Sequence, residues 1–440
     1  MKVSRLNIAA LGLCASTLLS AIPASAGSSG YTASSEASAI SAAAGVSAFY
    51  STWQTQPIWF RSGVPSPAIT QLVSILQRAP FDGFAEGPQL AQQVQAAVAQ
   101  AASGNQANVT AAERALSTAW VQYVQAVKKP TPGMIYAYRV LEPQGTRADQ
   151  ILLTASAAPS LEQHLAAVSN VNSIYAQLRD TAFAAAQASG NMTPDPRLLA
   201  NLDRVRSLPA KGRFLLVDSG SSMLTLYQDG RPIDSMKVIT GTHELPTPLI
   251  ASVMYYVTYN PYWHAPDHLV RKTIAPNVVR QGSGYLKSRG YHVIDEWSEN
   301  PKILDPSSVD WKAAAAGKVH LRVRQDPGAL NSMGKLKFPF PNPQDIYLHD
   351  TPNKALFAKA NRNLSNGCVR VEDAKRLGHW LLGQDPVSPG GDAEIRVQLP
   401  RGTPVFLTYI TAQVRDGKLS YLPDTYGWDK APPTQYASSR

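Results

Sequence analysis

Asp345-Ile346-Tyr347-Leu348-His349-Asp350-Thr351-Pro352 and, after an interval rich in Asn, Lys and Arg, Ser365-Asn366-Gly367-Cys368-Val369-Arg370 are the two runs from which the rest of the chain is read. The first carries a short apolar run, Ile346-Tyr347-Leu348, and predicts a strand ending at His349. The second predicts a turn, because Gly367 admits a tight or left-handed backbone and leaves room for a substrate carbonyl. Helical spacing over 372–382 then predicts a helix whose N-terminal N–H groups and dipole would favour a thiolate at Cys368. Cys368 is therefore the candidate nucleophile and His349 the candidate base, with the amides of the Asn366-Gly367-Cys368 turn as candidate oxyanion donors. What orients His349 stays open between the Asp350 carboxylate and a backbone carbonyl.

Cysteine usage sharpens this reading. The chain has two cysteines, Cys14 and Cys368. Residues 1–26 have the form of a signal peptide: Lys2 and Arg5 form a basic start, Ile8 to Ala21 is mostly apolar, and Ala24-Ser25-Ala26 is a cleavage signal. The rival reading, a membrane anchor, meets a short apolar run ended by Pro23. Leu11-Gly12-Leu13 before Cys14 makes a poor lipidation site, and no later stretch is long and apolar enough to span a bilayer. Cleavage would remove Cys14 and leave Cys368 alone in an oxidising compartment, where a solitary thiol is either buried and inert or kept for its chemistry. It would also lower the formal charge from +10 to +8. A basic exported chain suits an anionic polymer such as cell wall, and scattered Lys and Arg without interleaved aromatics argue against nucleic acid.

The expected architecture is α+β. Residues 27–38, rich in Ser, Gly and Ala, read as a flexible lead-in. Residues 39–208 read as a helical domain, with helices near 36–50, 67–79, 88–103, 110–127, 160–188 and 196–207. Thr110 with Glu113 resembles a capping box, Phe49-Tyr50, Trp53 and Trp59-Phe60 read as core aromatics, and 130–159 reads as an irregular connection. Period-two alternation begins at Arg213, so residues 209–430 form a β-rich domain. Within it, 261–326 breaks the alternation and reads as an inserted lid or binding loop. Residues 431–440 read as a flexible tail.

The two opening runs resemble the active-site signature of L,D-transpeptidases, in the long periplasmic subfamily with a YkuD-type catalytic domain. Asn201-Leu202-Asp203-Arg204, Lys237-Val238-Ile239 with Gly241, Thr247-Pro248, Asn260-Pro261-Tyr262-Trp263 and Pro327 through Gly334 extend the resemblance. It implies that Cys368 is the nucleophile, that His349 moves its proton, and that Tyr347, Asn331, Arg370, Ser365 and Trp263 surround the substrate. Arg370 also has a physical warrant, since a guanidinium beside the thiol can fork onto a carboxylate. Small members carry His where this chain has Asn366 and Asn where it has Arg370, which points to the long subfamily. The implied reaction forms 3→3 cross-links between peptidoglycan stem peptides, which serve as donor and acceptor, through a cysteine thioester with release of D-alanine. No cofactor or metal is implied. The resemblance makes 261–326 a capping segment and 39–208 a scaffold, places the mature chain in the periplasm, and admits other cell-wall synthesis proteins as partners. A Cys-dependent peptidoglycan carboxypeptidase or amidase, or a non-catalytic wall-binding scaffold, are the alternatives. His264 and His268 beside Asp267 invite a zinc reading, which Pro266 opposes by breaking a shared helical face. Trp263 reads equally as cleft lining or as packing.

Overall fold

In the computed structural model, residues 29–52, 56–298 and 300–431 are described. The expected signal segment, Trp53 and the tail from 432 lie outside them. Eight helices build most of the N-terminal half: α1 (Ser29–Thr52), α2 (Ala68–Arg78), α3 (Gly87–Ala101), α4 (Gln106–Val127), α5 (Ala148–Ala157), α6 (Leu161–Asn170), α7 (Ser173–Ser189) and α8 (Pro196–Val205). Helix α1 begins inside the stretch read as a lead-in. On α2, Ile69, Leu72, Val73 and Leu76 fall on one face and are buried in a core shared with Trp59, Leu116 and Trp120.

Three details of the helical half depart from the sequence reading. The cap of α4 is Asn105, whose Oδ1 accepts from the Ala107 and Asn108 amides. Glu113 instead lies buried in mid-helix, where it accepts hydrogen bonds from the Ile58, Trp59 and Phe60 amides and the Tyr50 hydroxyl. The helix expected over 160–188 is two helices. Asn172 ends the run because its Oδ1 caps α7 at Tyr175 N while its Nδ2 donates to Val205 O and Leu208 O. Val171 takes the strain at φ 58°, unusual for a β-branched residue. The connection expected at 130–159 contains α5 and a strand, β1 (Ile135–Tyr136).

Strands β2 (Phe214–Asp218), β3 (Met223–Gln228), β4 (Arg231–Gly241) and β5 (Ile250–Tyr259) open the second half. After an inserted segment follow β10 (Leu336–Pro339), β11 (Tyr347–His349), β12 (Asn363–Ser365), β13 (Val369–Val371) and β14 (Ile395–Thr408). The sheet runs β1-β5-β10-β11-β13-β4-β3-β2-β14, and β14 also pairs with β5, so eight of its strands close into a ring. Alternation decides what the ring encloses: Leu215, Val217, Leu224, Val238, Phe338, Leu348, Val369 and Val371 fill one core. Strand β1 comes from the helical half and pairs in parallel with β5, so the boundary expected near 208 is bridged by main-chain hydrogen bonds. A hairpin of β15 (Ala412–Arg415) and β16 (Lys418–Tyr421) follows the ring.

The insertion is more ordered than its sequence suggests. Strands β6 (Trp263–Ala265), β7 (Tyr291–Ile294), β8 (Ile303–Leu304) and β9 (Arg322–Gln325) form a separate sheet in the order β6-β9-β7-β8. With a helical run between Asp267 and Gln281 it buries its own core of Ala265, Val270, Ile274, Val278, Leu286 and Val323. Elements of two to five residues are too short for periodicity to register. Both legs of this cap leave from β5 and β10, which are neighbours through Leu336 and Tyr259. Asn331 ties the legs: its Nδ2 donates to Pro261 O at 3.0 Å and Asp326 O at 2.9 Å, and its Oδ1 accepts from Met333 N. It is 1 % exposed and its amide group is spent on main-chain atoms of both legs, which makes it a latch for the cap. Asn331→Ala is expected to cost about 1–3 kcal/mol by stranding buried carbonyls. Hydrogen exchange should show faster exchange across the cap strands with the helical half unchanged, and uniform protection would refute the latch.

Candidate active site

The two signature runs lie side by side. Strands β11 and β13 pair in parallel, with Leu348 beside Val369 and His349 beside Arg370. Tyr347 opens β11, and Cys368 directly precedes β13. Since Leu348 and Val369 fill the core, alternation turns Tyr347, His349 and Arg370 to the other face. On the flanking strands Lys337 pairs with His349 and Ile239 with Arg370, so one row across four strands reads Lys337, His349, Arg370, Ile239.

The Ser365-Asn366-Gly367-Cys368 turn is built from within. Gly367 sits at φ 109°, which disfavours side chains. Ser365, 3 % exposed, donates its hydroxyl to Cys368 O at 2.6 Å and accepts from Gly367 N at 3.2 Å. Ser365 thus builds the turn, and the Gly367 amide, expected as an oxyanion donor, donates to the Ser365 hydroxyl here. Cys368 is partly exposed, and its thiol donates to Asp345 O at 3.7 Å. Asp345 itself adopts φ 50°.

The expected helix-dipole support for the thiolate is absent. Strand β13 follows Cys368 directly, and the next helix starts at Ala374 with Asp373 as its own cap. Support comes from side chains. Burial, followed by the charge of the Cys368 sulfur, holds the Tyr347 phenol well above its ordinary pKa, so its hydroxyl stays a donor. Burial disfavours the charge of Arg370 and the Cys368 sulfur favours it. Arg370 Nε is buried without a hydrogen-bond partner among the described residues.

His349 is 6 % exposed, and its Nδ1 lies 2.6 Å from Asp350 O. A carbonyl only accepts, so Nδ1 carries the proton and Nε2 keeps a basic lone pair. The orienting group is therefore the next residue's backbone. The Asp350 carboxylate is engaged elsewhere, accepting from Lys335 N at 3.0 Å and Lys354 Nζ at 2.7 Å. Burial, followed by the Arg370 charge, pushes the His349 pKa down to about 3. An unfolded imidazole binds its proton near pH 6.5, so as pH falls from about 6.5 to about 3 the unfolded state takes up a proton that the folded state refuses. Stability is lost on acidification, at up to about 1.4 kcal/mol per pH unit from this group. His349→Asn is expected to flatten that slope in urea titrations; an unchanged slope would show that His349 charges freely in the folded chain.

Lys337 was not singled out from sequence, although alternation in Leu336-Lys337-Phe338 would have shown it opposite the core. Its Nζ lies 4.4 Å from the Tyr347 ring centroid, and the Tyr347 and His349 rings are 5.7 Å apart. Trp263 is part of the cap, tilted against Tyr291 at 6.1 Å and packed on the cap core. Asp267 accepts from His320 at 2.9 Å, and no group of three or more potential metal ligands occurs among the described residues.

Residues 212–407 match the family model described as the YkuD L,D-transpeptidase catalytic domain. The second half of this chain thus carries a match to the YkuD-type L,D-transpeptidase catalytic domain. Ahead of the YkuD domain, residues 44–181 match a model described as a scaffold domain. A candidate L,D-transpeptidase of Haemophilus influenzae is 31 % identical over an alignment 327 residues long that covers 71 % of this chain and 64 % of that protein. The chain thus spans somewhat under two thirds of that relative. Two solved structures align with 45 % of the chain, each at a TM-score of 0.22: an L,D-transpeptidase from Mycobacterium smegmatis (11 % identity, 59 % of its chain) and the Ldtfm–avibactam carbamoyl enzyme (12 %, 49 %). At that score neither bears on the YkuD domain's geometry.

Proposed function

We propose that this chain is an exported L,D-transpeptidase that forms 3→3 cross-links between peptidoglycan stem peptides. The observation that carries this reading is the pairing of His349 with Arg370 on adjacent strands, directly after Tyr347 and Cys368, within the stretch that matches the YkuD catalytic domain. His349 Nε2 takes the thiol proton, and the sulfur attacks the carbonyl joining diaminopimelate to D-alanine in a tetrapeptide stem. The Tyr347 hydroxyl and the Arg370 guanidinium stabilise the negative sulfur before attack. As the C–N bond breaks, His349 returns its proton to the departing amine, D-alanine leaves, and a thioester remains on Cys368. The side-chain amine of a neighbouring diaminopimelate then attacks, loses its proton to His349, and expels the sulfur. The amide is conserved through the thioester, so no energy source or cofactor enters. Arg370, with one buried nitrogen unpaired, suits a carboxylate of the stem. The cap, built over strands adjoining this row, would shield the thioester and favour amine over water. Periplasmic localisation after signal cleavage, and association with other wall-synthesis proteins, belong to the same proposal.

Incubation with purified tetrapeptide muropeptides tests it. Released D-alanine together with dimers is the expected result; tripeptide without dimers would replace the transferase with a carboxypeptidase. A labelled carbapenem should acylate Cys368, and unlabelled, well-folded protein would support a non-catalytic scaffold.

A further inference from the structure

We propose that Thr247 and Tyr426 are positioning residues for the nucleophile, holding the Gly367–Cys368 turn from beneath through a relay of hydroxyls. The proposal rests on the reading of Cys368 as nucleophile. Thr247 Oγ1 donates to Gly367 O at 2.7 Å and accepts from Gly241 N at 2.9 Å. Tyr426 Oη donates to Gly241 O at 2.7 Å and accepts from Thr247 N and Asn363 Nδ2, each at 3.4 Å. Both carbonyl and amide of Gly241 are thus held, one by each hydroxyl. Gly241 has no room for a side chain, since a Cβ there would meet Leu245 O at 2.1 Å and Thr247 N at 2.6 Å. That close approach is what brings Thr247 under the turn. Thr247 is 1 % exposed and Tyr426 6 % exposed, and their hydroxyls are spent on main-chain atoms.

Tyr426 lies beyond the YkuD match, which ends at 407. Its ring is clasped by Tyr409 and Trp428, each with centroids 4.8 Å away, and the segment is fixed by Asp424, which accepts from Tyr409 Oη, Trp428 N and Asp429 N. The consequence for chemistry runs through Gly367. Its carbonyl is restrained by Thr247 and its amide by Ser365, which fixes the direction in which the chain enters Cys368. Without the Thr247 hydroxyl the turn can rotate, and the sulfur moves off the Tyr347 hydroxyl and Arg370 that favour its thiolate.

The test uses the full chain and iodoacetamide, with alkylation followed at the Cys368 peptide by mass spectrometry across pH. Thr247→Val is expected to slow alkylation near neutral pH about tenfold and move its pH profile upward. Thr247→Ser, which keeps the hydroxyl, should restore both, and Tyr426→Phe should show a smaller change of the same sign with its aromatic packing kept. A native rate and profile in Thr247→Val, or a Thr247→Ser variant as impaired as Thr247→Val, would overturn the proposal. If Thr247→Val does not fold, Tyr426→Phe decides, and a native profile there overturns it. Muropeptide cross-linking by the native chain is scored separately: altered alkylation in the variants without cross-linking by the native chain upholds the relay and rejects the transpeptidase reading.

Discussion

Cys368→Ala is expected to abolish muropeptide dimer formation while leaving the unfolding midpoint within a few degrees of the native chain. The loss should reach at least about 10⁴-fold, because alanine leaves no sulfur to attack the stem carbonyl or to carry the acyl group. The small stability effect follows from the position of the thiol. Cys368 is partly exposed, and its thiol reaches Asp345 O only at a long 3.7 Å; truncating a partly exposed side chain removes modest buried area. A fall of more than about 3 kcal/mol would identify a core cysteine instead. His349→Asn should approach the same loss of turnover, and the double variant should be no worse than Cys368→Ala, since the two residues act as one unit.

The second large effect is structural. Glu113→Leu is expected to destabilise the helical half by about 3–5 kcal/mol, the range for breaking a buried charged network. Glu113 is 5 % exposed and gathers the Ile58, Trp59 and Phe60 amides and the Tyr50 hydroxyl. Burial raises its carboxyl pKa while these four donors lower it. Leucine fits the apolar surroundings but strands three amides that no water reaches. Glu113→Gln should fall between, because an amide offers one accepting oxygen in place of two. Urea denaturation followed by circular dichroism measures it, and a Leu variant within about 1 kcal/mol of native would contradict the account.

Glu113 also shows where sequence reading gives way. Three residues after a threonine near a helix start, it fits a local capping pattern, and nothing local reveals that residues 58–60 return to it. Asn105, one turn earlier, wins the cap because its side chain reaches two amides. Runs with strand texture fared better: the strand expected to end at His349 is β11, whereas the strand β13 that follows Cys368 lay inside a stretch read as a turn leading to a helix. The orienter of His349 left no side-chain signal because it is a main-chain carbonyl. Ser365 and Asn331 were recognised as parts of the site region, yet their partners are backbone atoms, so their roles became visible only with the turn and the cap in three dimensions. Lys337 was legible in principle, one step out of phase with Leu336 and Phe338.

Strand β1 has a practical consequence for anyone cutting the chain in two. Ile135 N donates to Leu249 O and Ala137 N to Ala251 O, both at 2.9 Å, on a stretch of β5 that β10, joined only at Thr258 and Tyr259, leaves uncovered. A fragment starting at residue 209 would bare that main chain beside the buried side chains of Ile250 and Ala251. An uncovered strand edge recruits whatever extended segment is nearest, commonly another copy of itself. Fragments meant to report on the isolated catalytic half should therefore begin before Thr131, or they will measure self-association as well as chemistry.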